Sequence, residues 1–333
     1  MEELVSVIMP AYKSAKTIKK SIESVLSQSY KNLELIVVID GEEDDTFEVC
    51  SKIEDPRLKV FKKENGGVVG AYCYGIKKAQ GKYIGFCDSD DCFRPGFLEK
   101  GIKLISENSC DFVSFAYKVV NPQGEVVENI RNTLENGFYD KNRIAAEVLP
   151  HLVFNSFIRE QMFILLVLRW NKIYTKTLID SFVDSLDEKC RQIEDNFFTI
   201  NAILNACSFY INNDFYCYDY CIGESSISSG WQNNSILEGY FYTIGRIAER
   251  ISNIPQIDPH QIDFLAYDNA RIVFRRCAKN AGYKAAKELL TCIRENEWVQ
   301  KVKFSELKML KNKIYHIGLK LHFDWLLYQI FKR

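Results

Sequence analysis

Apolar residues come in short bursts through the first hundred positions, and the spacing inside the bursts alternates. Leu4–Met9 and Leu33–Ile39 are continuous runs rich in Val and Ile, the pattern of strands buried on both faces. Between them Ile18, Ile22, Val25 and Leu26 recur at steps of three and four, which predicts a helix with one apolar face. The alternation continues with a helix over Phe47–Ile53, a strand over Leu58–Phe61, a helix over Val69–Ala79 and a strand over Tyr83–Cys87. Pro10, Asp40-Gly41, Asp55-Pro56, Asn65-Gly66-Gly67 and Gly81 supply the breaks. Pro95 then starts a further helix, where its missing N–H costs nothing. Strands alternating with helices predict an α/β fold with a parallel sheet covered on both faces, its crossovers right-handed. The loops after the first, second and fourth strands then share one edge, the edge where such sheets bind ligands.

From Asp111 the pattern changes. Asp111–Val120 and Glu125–Val127 read as strands joined by the turn Asn121-Pro122-Gln123-Gly124. Helix is expected from about Lys141 to Trp170 and over Asn196–Ala206, with extended pieces at Tyr210-Ile211 and Phe215–Tyr220. After Gly230 every segment reads as helix: Ile236–Ile251, Ile262–Lys279, Tyr283–Trp298 and Phe304–Phe331. The chain thus divides into 1–105, 106–229 and a helical region at 230–333, with no tandem repeat.

The chemistry concentrates where the fourth strand ends. Three carboxylates follow Cys87 within four residues, Asp88-Ser89-Asp90-Asp91. Such close carboxylates repel by about 1 kcal/mol per pair even in water. A divalent cation with hard oxygen ligands, Mn²⁺ or Mg²⁺, relieves that repulsion and takes its other ligands from substrate phosphates and water. The net charge of −1 gives no general attraction to nucleic acid. The 11 cysteines are scattered, and Cys217-x-x-x-Cys221 lacks the second pair of a zinc site. His151, His260, His316 and His322 have no ligand spacing and are read as structural or surface residues. Met1-Glu2-Glu3 has no signal-peptide character, and the apolar run Met162–Leu168 is too short to span a bilayer. A cytoplasmic protein is expected, soluble or peripheral at the inner face of the membrane.

Five pieces in order resemble family 2 glycosyltransferases with the GT-A fold. They are Val5-Ser6-Val7-Ile8-Met9-Pro10-Ala11-Tyr12, the helix Ser21–Tyr30, Asp40-Gly41 with Asp44, Asp88-Ser89-Asp90-Asp91, and Pro95 with Leu98-Glu99. The resemblance implies a mostly parallel Rossmann-like sheet flanked by helices, with residues 1–105 holding the nucleotide sugar and 106–229 the acceptor. It also implies roles. Pro10, Ala11, Tyr12, Lys13, Asp40, Gly41, Asp88 and Ser89 would bind the donor. Asp90, with Asp88, would hold the metal. Asp91 would orient the loop, cap the next helix or face the acceptor. Asp195 of the pair Glu194-Asp195 would be the base, with Glu194 the alternative. Trp170 and Lys172 would line the acceptor groove or simply be a buried Trp and a surface Lys.

The implied reaction is inverting transfer of a sugar from a nucleotide diphosphate, UDP before others, to a polysaccharide or a lipid-linked oligosaccharide. Three positions depart from the family pattern. Lys13 stands where Asn is common, Glu42 where Ser is common, and Ala71-Tyr72-Cys73 where Ala-Arg-Asn is common. The segment Cys221–Ser228 also lacks an Arg, so Lys13 is expected to help neutralise the diphosphate. A nucleotidyltransferase is the less favoured alternative, since Pro10-Ala11-Tyr12-Lys13 replaces its Gly-rich loop. A non-catalytic sugar-nucleotide or glycan-binding module is the other.

The last stretch carries Leu307, Leu310, Ile314, Ile317, Leu321 and Trp325 at helical steps, within a tail of 8 Lys and Arg against 2 Asp and Glu. Such a stripe packs on its own body, on a second copy as a homodimer, or in a membrane interface.

Overall fold

The continuous apolar runs form β1 (Val5–Ala11) and β2 (Leu33–Asp40), every residue of which is buried. The computed structural model describes residues 2–41, 43–153, 167–222 and 235–332. They form two compact units, 1–149 with 163–223, and 150–162 with 224–333.

In the first unit α1 (Ile18–Leu26) and α2 (Thr46–Ser51) follow β1 and β2, and β3 (Leu58–Lys63), α3 (Val68–Lys78) and β4 (Tyr83–Phe86) complete the opening pattern. Ile18, Ile22, Val25 and Leu26 are the buried face of α1, as their spacing predicts. Pro10, expected to end the first strand, lies inside it. Alternate residues of β1 address opposite neighbours: Val5 N–H donates to Asn32 beside β2, and Ile8 C=O accepts from Cys87 beyond β4. Pro10 faces the β4 side, where pairing stops at Ile8 opposite Phe86, so its missing N–H breaks no ladder bond.

The second half of this unit departs further from the periodic reading. A two-residue β5 (Cys92–Phe93) precedes α4 (Phe97–Asn108), which starts after Gly96 rather than at Pro95. Then come β6 (Phe112–Val120), β7 (Val126–Ile130), β8 (Gly137–Asp140) and α5 (Lys141–Arg143), followed by single helical turns to His151. Residues 154–166, the middle of the helix expected from Lys141 to Trp170, lie outside the described residues. Trp170 itself precedes a strand, β9 (Lys172–Thr175), and α6 (Lys176–Asp180) and α7 (Glu194–Asn205) follow. The two extended pieces expected near 210–220 are one bent strand, β10 (Ser208–Cys221), with register shifts around Tyr216.

The sheet runs β3-β2-β1-β4-β9-β6-β10-β5, with β7 on β6 and β8 on β10. Its first four strands are parallel. β9 then enters antiparallel to both β4 and β6. This direction matters for the site. Ile173 pairs with Gly85, so the residues before Lys172 lie beside the carboxyl end of β4, next to the acid tip.

The second unit is helical: α8 (Ser235–Ile251), α9 (His260–Asn280), α10 (Gly282–Glu295), α11 (Glu297–Lys301), α12 (Leu310–Lys320) and α13 (Asp324–Phe331). Tyr315, Phe274 and Phe331 meet in its core with ring centroids 5.6 to 5.8 Å apart. The single helix expected over Tyr283–Trp298 is broken by Asn296, whose side chain accepts from the N–H groups of Trp298 and Val299 and starts α11. The helix expected over Phe304–Phe331 is also divided. The chain turns between α12 and α13, with His322 at φ +56°. Gly318 lets the two helices close, since a Cβ there would stand 2.5 Å from a Leu327 methyl.

Candidate active site

β1, β2 and β4 are parallel neighbours, so the loops at their carboxyl ends meet. Three short bonds make one platform of them. Ser14 and Ser89 share a hydrogen bond of 2.7 Å between hydroxyls, Ser14 N–H donates to Thr46 Oγ1 at 2.9 Å, and Ala15 N–H donates to Asp44 Oδ2 at 3.0 Å. Pro10 and Ala11 are buried beneath it. Tyr12 and Lys13 rise from it, and both bind Glu43: Tyr12 donates its hydroxyl at 2.9 Å and Lys13 forms an ion pair at 2.6 Å.

Asp40 ends β2 and is buried. Its Oδ1 accepts from Lys63 Nζ at 2.8 Å and Gly66 N–H at 2.9 Å, and its Oδ2 from Gly67 N–H at 2.7 Å. Gly67 takes φ +88° to present that amide, a backbone region that favours glycine. A carboxylate offers about four acceptor sites, so Asp40 keeps capacity for one more donor. Gly41 turns the chain directly after it.

The three carboxylates of the acid tip have three environments. Asp88 is partly exposed, its backbone N–H donates to Tyr218 Oη at 2.9 Å, and its Oδ1 takes Arg169 at 2.5 Å. Asp90 is exposed, and among the described residues its carboxylate meets only its own backbone amide. Desolvation by the protein mass around it and repulsion from Asp88 push it up to about 6. Asp91 is buried, accepting from Cys221 N–H at 2.7 Å through Oδ1 while Oδ2 finds no partner among the described residues. Burial and its two acidic neighbours hold Asp91 well above the usual carboxylate range. Asp91, expected to orient the loop or face an acceptor, is thus enclosed against β10.

The residue that joins these parts is Arg169, which the motif reading passed over. Its side chain is 2% exposed and its guanidinium spans two carboxylates, Asp88 through Nη2 and Asp195 through Nη1. It also lies over the Tyr72 ring, 5.0 Å from the centroid. Burial opposes the charge, but Asp195 and Asp88 outweigh it and keep Arg169 protonated. A signal was present: Arg169 ends the apolar run before Trp170, and an Arg in such a run is rarely buried without carboxylate partners.

Glu194 and Asp195 open α7, after Ile193 at φ +48°. Both are partly exposed at the surface. Burial of most of its surroundings and repulsion from Asp195 raise Glu194 to about 7. Asp195 is raised by burial and by Asp88, against the pull of Arg169. Arg169 takes Oδ1 of Asp195, and Oδ2 accepts no hydrogen bond among the described residues. One oxygen is thus anchored and the other is left for a proton.

Two residues expected at an acceptor groove are interior. Trp170 is 3% exposed, and its ring stacks on Tyr218 at 4.1 Å and on Tyr220 at 5.8 Å between centroids. Lys172 is fully buried, bonded to the Leu168 carbonyl and to Asn171 Oδ1, and burial pushes it down to about 7. β9 lies between β4 and β6, which is why both side chains are enclosed. They support the wall that carries Arg169. The segment Ser225–Ser228 lies outside the described residues.

The donor set fits a cation that a substrate completes. Among the described residues no three His, Cys, Asp or Glu side chains converge into a ready-made cage. One unpaired exposed carboxylate, Asp90, with the free oxygen of Asp88 beside it, matches the one or two carboxylates by which Mg²⁺ is held when phosphates supply other ligands.

Comparison with known proteins agrees with the fold. Residues 6–164 match the family model described as glycosyl transferase family 2. An uncharacterized glycosyltransferase of Rickettsia felis is 38% identical over 152 residues, 45% of this chain and 23% of that protein. Glycosyltransferase GlyA of Streptococcus pneumoniae is 26% identical over 235 residues, 69% of this chain and 32% of that protein. The chain therefore spans less than a third of the length of these relatives. Crystal structures of S. aureus TarS 1-349 with UDP and with UDP-GlcNAc superpose with a TM-score of 0.66 at 20% and 21% identity, covering 98% of this chain and 90% of theirs. The fold is of the GT-A type, and the segment 6–164, which builds the platform and the acid tip, is the part that matches glycosyl transferase family 2.

Proposed function

We propose that this chain is an inverting glycosyltransferase that moves one sugar from a nucleotide diphosphate, uridine-linked, to a hydroxyl of a saccharide or lipid-linked saccharide. The observation that carries the reading is the Arg169 clamp, which ties the donor-side Asp88 to Asp195 at the start of α7. Residues 1–105 would hold the donor and 106–229 the acceptor. The TarS complexes support a uridine nucleotide by likeness of fold.

In this reading Ala11 and Tyr12 line the base pocket above Pro10 and Gly41, and the remaining acceptor site of Asp40 takes a donor from the base. Ser89, fixed by Ser14, sets the height of the acid tip. Lys13, already paired with Glu43, exchanges toward the diphosphate. Asp90 and the free oxygen of Asp88 hold Mn²⁺ or Mg²⁺, which when bound offsets charge on the leaving diphosphate. Asp195 Oδ2 accepts the proton of the acceptor hydroxyl as that oxygen bonds to the anomeric carbon. The bond from that carbon to the diphosphate breaks in the same displacement, and the electron pair leaves with the nucleotide. Arg169 holds Asp195 in place and keeps its anchored oxygen from taking the proton. Glu194, raised to about 7 by burial and by Asp195, is the alternative base.

The test is release of UDP from UDP-glucose, UDP-galactose and their N-acetyl forms with Mn²⁺. Turnover of at least one donor is expected. Binding of a donor with no turnover of any, even with saccharide acceptors added, would favour a binding module instead.

A further inference from the structure

The stripe singled out near the carboxyl end does not pack inward. Leu307 is buried, but Leu310, Ile314, Ile317 and Leu321, at successive steps of four and three along α12, all face solvent. Leu310 is 73% and Leu321 57% exposed. The opposite face of α12 carries the packing, through Tyr315 and Leu319. α13 repeats the arrangement, with Leu327 and Phe331 inside and Trp325 61% exposed. Eight of the fifteen large apolar side chains exposed in the structure lie between Leu310 and Ile330.

The hairpin is locked in this orientation. Arg294 forms an ion pair with Asp324 and donates through Nε to the Leu319 carbonyl at 2.8 Å. Its charge is equally uneven. The only two carboxylates after residue 300 are both engaged within the unit, Asp324 with Arg294 and Glu306 with His260. Helical spacing puts Lys311 on one flank of the exposed stripe and Lys313 and Lys320 on the other. An apolar stripe with basic flanks and an exposed Trp suits a helix lying in a lipid interface, its lysines reaching up to headgroups. A second copy of the same surface would oppose lysine to lysine, so charge complementarity selects an anionic bilayer.

We propose that α12 and α13 form a membrane-docking surface for anionic lipid. The exposed stripe enters the headgroup boundary and Lys313 and Lys320 contact lipid phosphates. No helix among the described residues is long and apolar enough to cross a membrane, so the docking is peripheral. The inference rests on this surface alone and does not depend on the transfer reaction.

Flotation of the full chain with vesicles of 30% phosphatidylglycerol in phosphatidylcholine tests it. Binding should be about tenfold or more tighter than to phosphatidylcholine alone and should weaken with salt. K313E with K320E should lose that preference, and I317E with L321E should abolish binding with an unchanged circular dichroism spectrum. Should those variants misfold, brominated lipid still decides on the otherwise unaltered chain: it should quench fluorescence, and most of that quenching should disappear in Trp325→Phe. Absence of binding to anionic vesicles overturns the proposal. So does a dimer in light scattering that I317E with L321E turns into a monomer, because the stripe would then be a protein interface.

Discussion

Two acidic regions of this molecule use the same side chains for opposite ends. At the acid tip Asp90 stands exposed and unpaired, two residues from an Asp88 that is half committed to Arg169. At the start of α7, Glu194 and Asp195 are only partly exposed, one of them anchored by the same guanidinium. In the proposed function the tip gives up its repulsion to a cation and the helix start accepts a proton. Burial and a neighbouring aspartate raise both kinds of carboxyl, Asp90 to about 6 beside Asp88 and Glu194 to about 7 beside Asp195; what separates the two places is the guanidinium that Glu194's neighbour holds and Asp90 does not. A shared arginine makes the two regions one site.

Removing that arginine should do the most damage. Arg169→Met leaves Asp88 and Asp195 without their common partner in a buried place. Breaking a buried pair in this way costs about 3–5 kcal/mol, which urea denaturation reads directly, and turnover should vanish with it. Stability within about 1 kcal/mol of the parent would mean that the two regions are not coupled.

Next come changes that separate the regions. Asp195→Asn keeps a hydrogen bond to Arg169 but removes the base, so turnover should fall by about 10²–10⁴-fold with KM for the donor nearly constant. Asp90→Ala should remove metal-dependent turnover altogether. A comparable loss of donor affinity in both would merge roles that are here kept apart.

The pH profile gives a smaller effect. A base must be ionised, so an Asp195 held above the ordinary carboxylate range moves the rising limb of kcat/KM to higher pH than a free aspartate would give. Glu194 stays protonated up to about 7 and adds no charge beside Asp195 below that, so Glu194→Gln should leave the rising limb in place, and a displaced limb would name Glu194 as the base. A linked stability effect has a fixed sign. Glu194 is raised from its ordinary 4.5 to about 7 in the folded state, so its contribution is fully present below 4.5 and is lost as pH rises through 7. The Gln variant should lose that slope between melts at pH 5 and pH 8.

Asp91→Asn should change least. Its Oδ1 would still accept from Cys221, and a neutral side chain suits a carboxyl that burial already holds well above its usual range. Less than about 1 kcal/mol and only a few-fold in turnover are expected. A large loss of turnover would return Asp91 to the reacting centre.

The parallel half was legible because its strands are local and continuous: Ile18, Ile22 and Val25 state a helix face, and Val37-Val38-Ile39 state a buried strand. The site was legible as far as carboxylates announce themselves. Arg169 was not, because its place is set by β9 entering antiparallel between β4 and β6, a pairing no local period encodes. The same pairing buries Trp170 and Lys172, which residue type alone suggested for a groove. The stripe on α12 misled in another way. Leu310 and Leu321 have the spacing of a core face, yet Tyr315 and Leu319 on the other side do the packing. Periodicity identifies a face without saying which face the body takes.

The central claim is that the acid tip captures the nucleotide while Asp195 acts only afterwards. Calorimetric titration of UDP with Mn²⁺ into the parent chain, Asp90→Ala and Asp195→Asn tests it most directly. The account predicts matching heats and affinities for the parent and Asp195→Asn, and no metal-dependent binding for Asp90→Ala. Equal binding in all three, or binding indifferent to Mn²⁺, would contradict it.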